Sequence, residues 1–245
     1  MRSKNRVSYD NKMLHYNADL ELVDILCTSI DADALTPTDN GSLFVHIDDQ
    51  KHPILSSWRI CQENRSMAIY HLRQTVYGSY IKDMYEEFTH FLKDTIIEAV
   101  ANLKTNPDRL IGEHKVSISA KEILNLDSKQ AVNEKIVDAL FQTMEAERST
   151  IKLIKSTCNK LGLEISEDLI NAALPYLELR HKLVHADGKL DAEFRDLYPF
   201  IRHTNKNYVD LRYSLISEAR TNVNNLVIAI DDDALQKELV VSHVM

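Results

Sequence analysis

Apolar residues recur every three or four positions along most of this chain, which is the spacing of amphipathic helices. The longest such run covers residues 69–103 and predicts one very long helix that Gly78 breaks. A second apolar line through Tyr77, Ile81 and Tyr85 follows the same segment, so this helix is expected to be central in a bundle or shared with a partner subunit. The same spacing predicts further helices over 132–161, 166–184 and 208–230.

Polar residues and glycines mark several helix ends. Ser119 and Glu122 have the spacing of a capping box, which predicts that a helix begins there. Gly162 and Gly188 are placed to end helices, because glycine readily adopts the left-handed conformation that follows a last helical turn. Pro175 is expected to kink the helix that Gly188 ends.

The first 55 residues differ from this pattern. Leu20–Ile30 predicts one helix, and a loop rich in Asp and Thr follows it. Apolar residues then alternate over residues 43–47, which predicts a short strand. We therefore divide the chain into an N-terminal extension over 1–55 and a helical domain over 56–245.

The composition favours a helical protein. Only 5 Gly and 5 Pro occur in 245 residues, which argues against a turn-rich sandwich or barrel. With 44% hydrophobic residues the chain is long enough to bury a core. We predict an all-α bundle of about five main helices around the long central helix.

Charge and cysteine usage narrow the classes of function. The formal net charge of −8 argues against a surface that coats nucleic acid without specificity. Three cysteines without paired spacing predict neither a disulfide framework nor a zinc knuckle. Because no apolar run approaches the roughly 20 residues that span a bilayer and no signal-peptide core follows the basic start, we expect a cytoplasmic protein without a membrane partner.

The segment LELRHKLVHADGK, residues 177–189, is the most distinctive candidate for chemistry. Arg180 offers a charged fork that binds a phosphate at two points, and His181 and His185 are side chains that move protons near neutral pH. If Gly188 ends the helix, His185 lies in its last turn, where the negative helix end favours a cation. An arginine and a histidine suffice for metal-free cleavage of a phosphodiester.

Two other readings of this segment stay open. His181 and His185 lie one helical turn apart, so they could bind a metal ion together with Asp187 or His203. Alternatively the cluster is structural, with Arg180 paired to Glu178 or Asp187 and His185 capping carbonyl groups. Neither alternative assigns an activity.

The run RHKLVH, residues 180–185, resembles the motif of HEPN domains (higher eukaryotes and prokaryotes nucleotide-binding). That motif is an arginine, a polar residue, a short spacer and a histidine, and Arg180, His181 and His185 match it position by position. Arg65 to His71 and Arg109 to His114 have similar spacings but lack the favoured polar second residue.

The resemblance implies a fold, an activity and roles. HEPN domains are helical bundles, and many are RNases of toxin–antitoxin, phage-defence and CRISPR systems. It implies a metal-independent endoribonuclease without a cofactor, in which His185 is the general acid and base, Arg180 holds the scissile phosphate and His181 orients the site. The product would be a 2′,3′-cyclic phosphate. The alternative is a non-catalytic HEPN-like module that binds a nucleotide or scaffolds a complex.

The resemblance also implies partners. Arg180 and His185 are five positions apart, about 140° around a helix, and family members complete the site by dimerising. It therefore implies a homodimer with a composite cleft, which an antitoxin or sensor protein would control. Some HEPN toxins are modified on a Tyr two residues after the motif His, and Asp187 stands there in this chain. The predicted contacts to the RNA backbone are Lys152, Lys155, Lys182 and Lys189.

Overall fold

The computed structural model describes residues 1–32, 48–58, 64–102, 105–114 and 116–243. Within these ranges the regular structure consists of eleven α-helices, one π-helical turn and three isolated β-bridges, which confirms the predicted all-α class. The short strand predicted over 43–47 lies outside the described residues. The α-helices are α1 (Lys4–Asp31), α2 (Pro53–Trp58), α3 (Asn64–Leu72), α4 (Gly78–Ala101), α5 (Pro107–Ile111), α6 (Ala120–Leu124), α7 (Lys129–Glu145), α8 (Thr150–Leu161), α9 (Glu167–His185), α10 (Ala192–Leu197) and α11 (Tyr213–Gln236).

Helix α4 is the centre of the bundle, as its two apolar lines predict. It packs against α1, α7, α8, α9 and α11, and its Ile81, Met84 and Phe88 are fully buried. Helix α9 packs against α4, α8 and α11, so three neighbours fix its position. Its side chains that face away from them, including His181 and His185, are exposed.

The predicted break at Gly78 is wrong. A five-residue π-helical turn, Arg73–Tyr77, joins α3 directly to α4, and Gly78 itself has α-helical dihedral angles, φ −64° and ψ −41°. The result is one continuous rod from Asn64 to Ala101. A π-helical turn accommodates an extra residue without ending a helix, so no breaker residue is needed at this point.

Helix α1 is much longer than the predicted Leu20–Ile30 and belongs to the same core as the rest of the bundle. It packs against α4, α3 and α11, and the rings of Tyr9 and Phe91 lie 6.0 Å apart. Its buried positions are spaced alternately by three and four residues, the pattern of a helix with one packed seam. They are Arg6, Tyr9, Met13, Leu20, Val23, Cys27 and Ile30, with Tyr16 partly buried.

Several predicted helix ends are confirmed. The Ser119 hydroxyl accepts from the Glu122 amide at 3.2 Å, and the Glu122 carboxylate accepts from the Ser119 amide at 3.1 Å. Gly162 follows α8 with φ +70°, in the left-handed region. Pro175 is buried inside α9, which continues past it to His185.

Two predicted boundaries are wrong. The periodic stretch 132–161 is two helices, because the chain turns between Glu145 and Thr150, where no glycine or proline marks the break. Helix α11 begins at Tyr213 rather than near 208, and a β-bridge joins Tyr208 to Lys189 instead. Helix α10 was not predicted. Among the described residues no helix has the length and apolarity needed to cross a membrane.

Candidate functional site

The end of α9 is fixed by hydrogen bonds to a single carbonyl. The amides of Ala186 and Gly188 donate to the Lys182 carbonyl at 3.1 and 2.9 Å. Asp187 and Gly188 both have positive φ, 49° and 83°, which turns the chain away from the helix axis. His185 is therefore the last helical residue, as predicted, and lies at the negative end of the α9 dipole.

A cleft of about 880 Å³ opens beside this end of α9. Its sides are formed by the connection between α7 and α8, by α10 and by one side chain of α4. We refer to it as the α9 cleft. It is lined by Tyr85, Glu145, Arg148, Ser149, Thr150, Leu153, Leu177, Glu178, Arg180, His181, Lys182, His185, Asp191, Glu193, Phe194 and Leu197.

Arg180 is held in the α9 cleft by an aromatic ring rather than by an acid. Its guanidinium carbon lies 5.1 Å from the ring centroid of Tyr85, within the range of a cation–π contact. Its Nε is buried and has no hydrogen-bond acceptor among the described residues. Glu178, a partner in the structural alternative, accepts instead from the Tyr198 hydroxyl at 2.9 Å. Arg180 therefore retains hydrogen-bonding capacity for an anionic ligand.

The two histidines form a contacting pair. The ring centroids of His181 and His185 are 4.6 Å apart and the ring planes are inclined by 48°. Desolvation lowers the pKa of His181, and the nearby positive charge of His185, Lys182, Arg180 and Arg148 lowers it further. The neutral imidazole of His181 is thus favoured near pH 7, and a neutral imidazole can accept a proton.

Arg180 and His185 both line the α9 cleft in a single chain. The two residues border this cleft although they lie about 140° apart around α9.

Among the four lysines predicted to contact RNA, only Lys182 lines the cleft. Its ammonium is 2.5 Å from a carboxylate oxygen of Asp191 and 5.6 Å from the ring centroid of Phe194. Its charge is therefore already paired. Lys189 is exposed and bridges through its backbone to Tyr208.

The two lysines of α8 that were predicted to contact RNA are held in ion pairs. Lys155 lies 2.7 Å from Glu167, and Lys152 lies 3.5 Å from Glu147. Lys160, also on α8, is buried and donates to the carbonyls of Leu110 and Ile111 at 2.5 and 3.0 Å. These distances leave little unpaired charge on α8 for a phosphate backbone.

The basic stretch over residues 148–160, which contains Arg148, indicated RNA contacts, but the sequence did not predict that Arg148, Tyr85 and Phe194 line this cleft. Arg148 is exposed in the α7–α8 connection with φ +52°, and no carboxylate among the described residues forms an ion pair with it. Ser149 and Asp191 are the N-cap residues of α8 and α10. Because serine and aspartate favour this position, they are the sequence signals that could have located the starts of these two helices beside the cleft.

Metal ligands are not gathered at this site. Among the residues that the structure describes, no three His, Cys, Asp or Glu side chains are arranged to hold a metal ion. His203 is outside the α9 cleft, with its ring nitrogen 3.0 Å from the Thr204 carbonyl. The carboxylates that line the cleft include Glu178, bonded to Tyr198, and Asp191, paired with Lys182.

The cleft thus combines two imidazoles with two guanidinium groups that form no ion pair with any carboxylate in the described part of the chain. Guanidinium groups bind phosphate oxygens, and imidazoles transfer protons, so the set suits acid–base chemistry on a phosphate ester. Comparisons of the chain with protein-family models, with curated proteins and with solved structures found no match in any of the three.

Proposed function

We propose that this protein is a metal-independent endoribonuclease whose active site is the α9 cleft. One observation carries the proposal: Arg180, His181 and His185 line one cleft at the carboxyl end of α9. The motif resemblance of these residues points to the same chemistry. A phosphate-binding fork and two proton carriers are the groups that RNA cleavage without a metal requires.

The reaction is an internal transfer at phosphorus. The ribose 2′-oxygen attacks, a new P–O2′ bond forms and the P–O5′ bond breaks. One imidazole takes the 2′-hydroxyl proton and the other gives a proton to the departing 5′-oxygen. The products are a 2′,3′-cyclic phosphate and a 5′-hydroxyl end. We propose that His181 accepts the proton and His185 donates it, which differs from the roles that the motif resemblance implies, where His185 does both and His181 orients the site. Two observations support this division: the two rings are in contact at a centroid distance of 4.6 Å, and the pKa of His181 is lowered.

Arg180 has the phosphate-binding role. Negative charge grows on the non-bridging oxygens during the attack, and a fixed guanidinium stabilises that charge without having to reorganise. The Tyr85 ring lies against Arg180 and restricts the positions that the guanidinium can take. The buried Nε has no acceptor of its own, so a phosphate oxygen would satisfy it.

A homodimer with a composite cleft stays part of the proposal. Arg180, His181 and His185 of one chain line its own α9 cleft, and a second copy that faces this cleft would add a second set of the same residues to it. Light scattering of the purified protein, alone and with RNA, measures whether two copies associate.

The direct test is cleavage of end-labelled RNA in EDTA. We expect the wild-type protein to cleave, and Arg180→Ala and His185→Ala each to lose about 100-fold or more in rate. Lys155→Ala and His203→Ala remove an exposed Lys and an exposed His outside the cleft, so they should cleave at the wild-type rate. Neither the wild type nor any variant should cleave RNA that has a 2′-deoxy residue at the cleaved position, because the attacking 2′-oxygen is missing.

Two results would contradict this assignment. Cleavage that EDTA abolishes would require a metal ion. Absence of cleavage by folded wild-type protein, together with nucleotide binding that depends on Arg180, would instead support the non-catalytic nucleotide-binding module.

A further inference from the structure

The α9 cleft has two walls of opposite chemistry. On one side are Arg148 and Arg180, neither of which forms an ion pair with a carboxylate among the described residues. On the other side α10 contributes Phe194 and Leu197 to the lining, together with the carboxylates of Glu193 and of the N-cap Asp191, which is paired with Lys182. Leu197 is 62% exposed. Contact with a ligand that excludes water from this large apolar side chain would lower the free energy.

The apolar wall continues beyond the cleft as a row of aromatic rings. Phe194 and Tyr198 meet edge to face with centroids 4.9 Å apart, and Tyr198 and Phe200 follow at 6.3 Å. The hydroxyl of Tyr198 donates to Glu178 of α9 at 2.9 Å, which ties the row to the helix that bears the catalytic residues. Phe200 ends the row and is 58% exposed.

This division matches the two parts of a nucleotide. A phosphate needs cations and hydrogen-bond donors, whereas the face of a base is flat and apolar and stacks on aromatic or aliphatic side chains. A base can reach such a surface only when it is unpaired, since both faces of a base inside a duplex are covered by its neighbours.

We propose that Leu197 and Phe200 form a nucleobase subsite, which receives an unpaired base of single-stranded RNA while Arg180 holds the adjacent phosphate. The proposal rests on the endoribonuclease assignment for the identity of the ligand as RNA. It adds that the substrate is single-stranded and that affinity depends on stacking rather than on the backbone alone.

Binding of RNA that cannot be cleaved tests the subsite separately from catalysis. The probes are three fluorescent 2′-O-methyl RNAs, followed by fluorescence anisotropy: a short single strand, its duplex, and a strand of the same length with abasic residues. The wild type should bind the single strand more tightly than the duplex or the abasic strand. Leu197→Ala and Phe200→Ala should each raise the Kd for the single strand about fivefold or more, and should leave the Kd for the abasic strand unchanged.

The chain offers matched controls. Leu22 on α1 is 57% exposed and Tyr70 on α3 is 54% exposed, and neither lines the α9 cleft. Leu22→Ala and Tyr70→Ala therefore remove similar exposed surface elsewhere and should bind the single strand like the wild type.

The possible outcomes separate the subsite from the proposed reaction. Base-dependent binding that Leu197→Ala and Phe200→Ala weaken supports the subsite even if no form cleaves RNA. Equal affinity for the abasic and base-bearing strands overturns it, even if cleavage proceeds normally. Unchanged RNA affinity in both variants, with loss of self-association in light scattering, also overturns it and identifies the wall as a protein interface.

Discussion

His181 and His185 lie one turn apart on α9 with their imidazole rings in contact, at a centroid separation of 4.6 Å. Two cationic imidazoles at this separation repel one another, so protonation of either ring disfavours protonation of the other. Burial is the largest cause of the lowered pKa of His181, and the charge of His185 is the next.

The first prediction concerns this pair. His185→Ala removes one positive charge beside His181, so the pKa of His181 should rise towards its ordinary value of 6.5. A titration of the imidazole resonances by NMR measures the change. His203→Ala removes an imidazole that is not among the causes of the shift, and it should leave the pKa of His181 where it is. An unchanged pKa in His185→Ala would disprove the electrostatic coupling.

The same shift sets the pH dependence of cleavage. A proton acceptor works only in its neutral form, and a lowered pKa extends that form to lower pH. The acidic limb of the rate profile should therefore fall below pH 6.5, the ordinary histidine value. Rates measured across pH 4 to 8, roughly the range in which histidine titrates, locate the limb. A limb above pH 6.5 would exclude His181 as the acceptor.

Arg148, the other arginine that lines the α9 cleft, should contribute to RNA affinity, whereas the lysines of α8 should not. Arg148→Ala is expected to weaken binding and to lower the slope of log Kd against log salt concentration by about 1, because one phosphate contact is lost. Lys155→Ala breaks an existing pair with Glu167, so both quantities should stay near the wild-type values. If Lys155→Ala had the larger effect, the α8 face would be the RNA-binding surface.

Two glycine variants should change stability in opposite directions. Gly162 has φ +70°, and a Cβ there would overlap the Arg109 guanidinium, which donates to the carbonyls of Lys160 and Leu161. Gly162→Ala should therefore reduce the free energy of unfolding by about 1 kcal/mol or more. Gly78 is α-helical, and a Cβ there would make ordinary contact with Leu211 at 3.7 Å, so Gly78→Ala should add about 0.5 to 1 kcal/mol. Urea unfolding curves measure both.

Asp191 should contribute to the free energy of unfolding in a pH-dependent way. Its carboxylate caps α10 by accepting from the Phe194 amide at 2.9 Å, and the hydrogen bond from Lys182 is the main cause of its lowered pKa. A lowered pKa in the folded state means that this contribution is complete above the unfolded value of about 3.9 and is lost as the pH falls through the folded value. Asp191→Ala should cost about 1 kcal/mol at neutral pH and progressively less below pH 4.

Asp191→Asn is the matched control for the cap. Asparagine keeps an oxygen that can accept from the Phe194 amide but loses the charge that pairs with Lys182. Thermal melting at neutral pH should place this variant between the wild type and Asp191→Ala. A melting temperature equal to that of Asp191→Ala would assign the stabilisation to the ion pair instead of the cap.

The sequence was sufficient where local chemistry decides the structure. Apolar periodicity predicted the central helix, and Ser119 and Gly162 identified helix ends because caps satisfy backbone groups within a few residues. The position of His185 in the last turn of α9 followed from Asp187–Gly188 for the same reason. These features depend on neighbours in the chain, so one sequence is enough to predict them.

Features that depend on distant residues were not predictable in this way. The break between α7 and α8 has no glycine or proline, and Arg148 adopts positive φ there without a residue type that favours it. The cation–π contact joins Arg180 to Tyr85, and these residues are far apart in the chain. The helix α1 was predicted only over Leu20–Ile30, because polar residues separate its buried positions and only one narrow seam of the helix is covered.

The π-helical turn at Arg73–Tyr77 has a consequence for which changes in chain length the protein tolerates. A one-residue deletion within this turn would remove its extra residue and leave α3 and the 24 residues of α4 in the same relative orientation. A deletion elsewhere in the rod would rotate its two sides relative to each other by about 100°, so that buried positions on one side would point into water. One-residue deletions should therefore be tolerated within Arg73–Tyr77, whereas insertions and deletions should be absent from the rest of Asn64–Ala101 in functional variants of this chain.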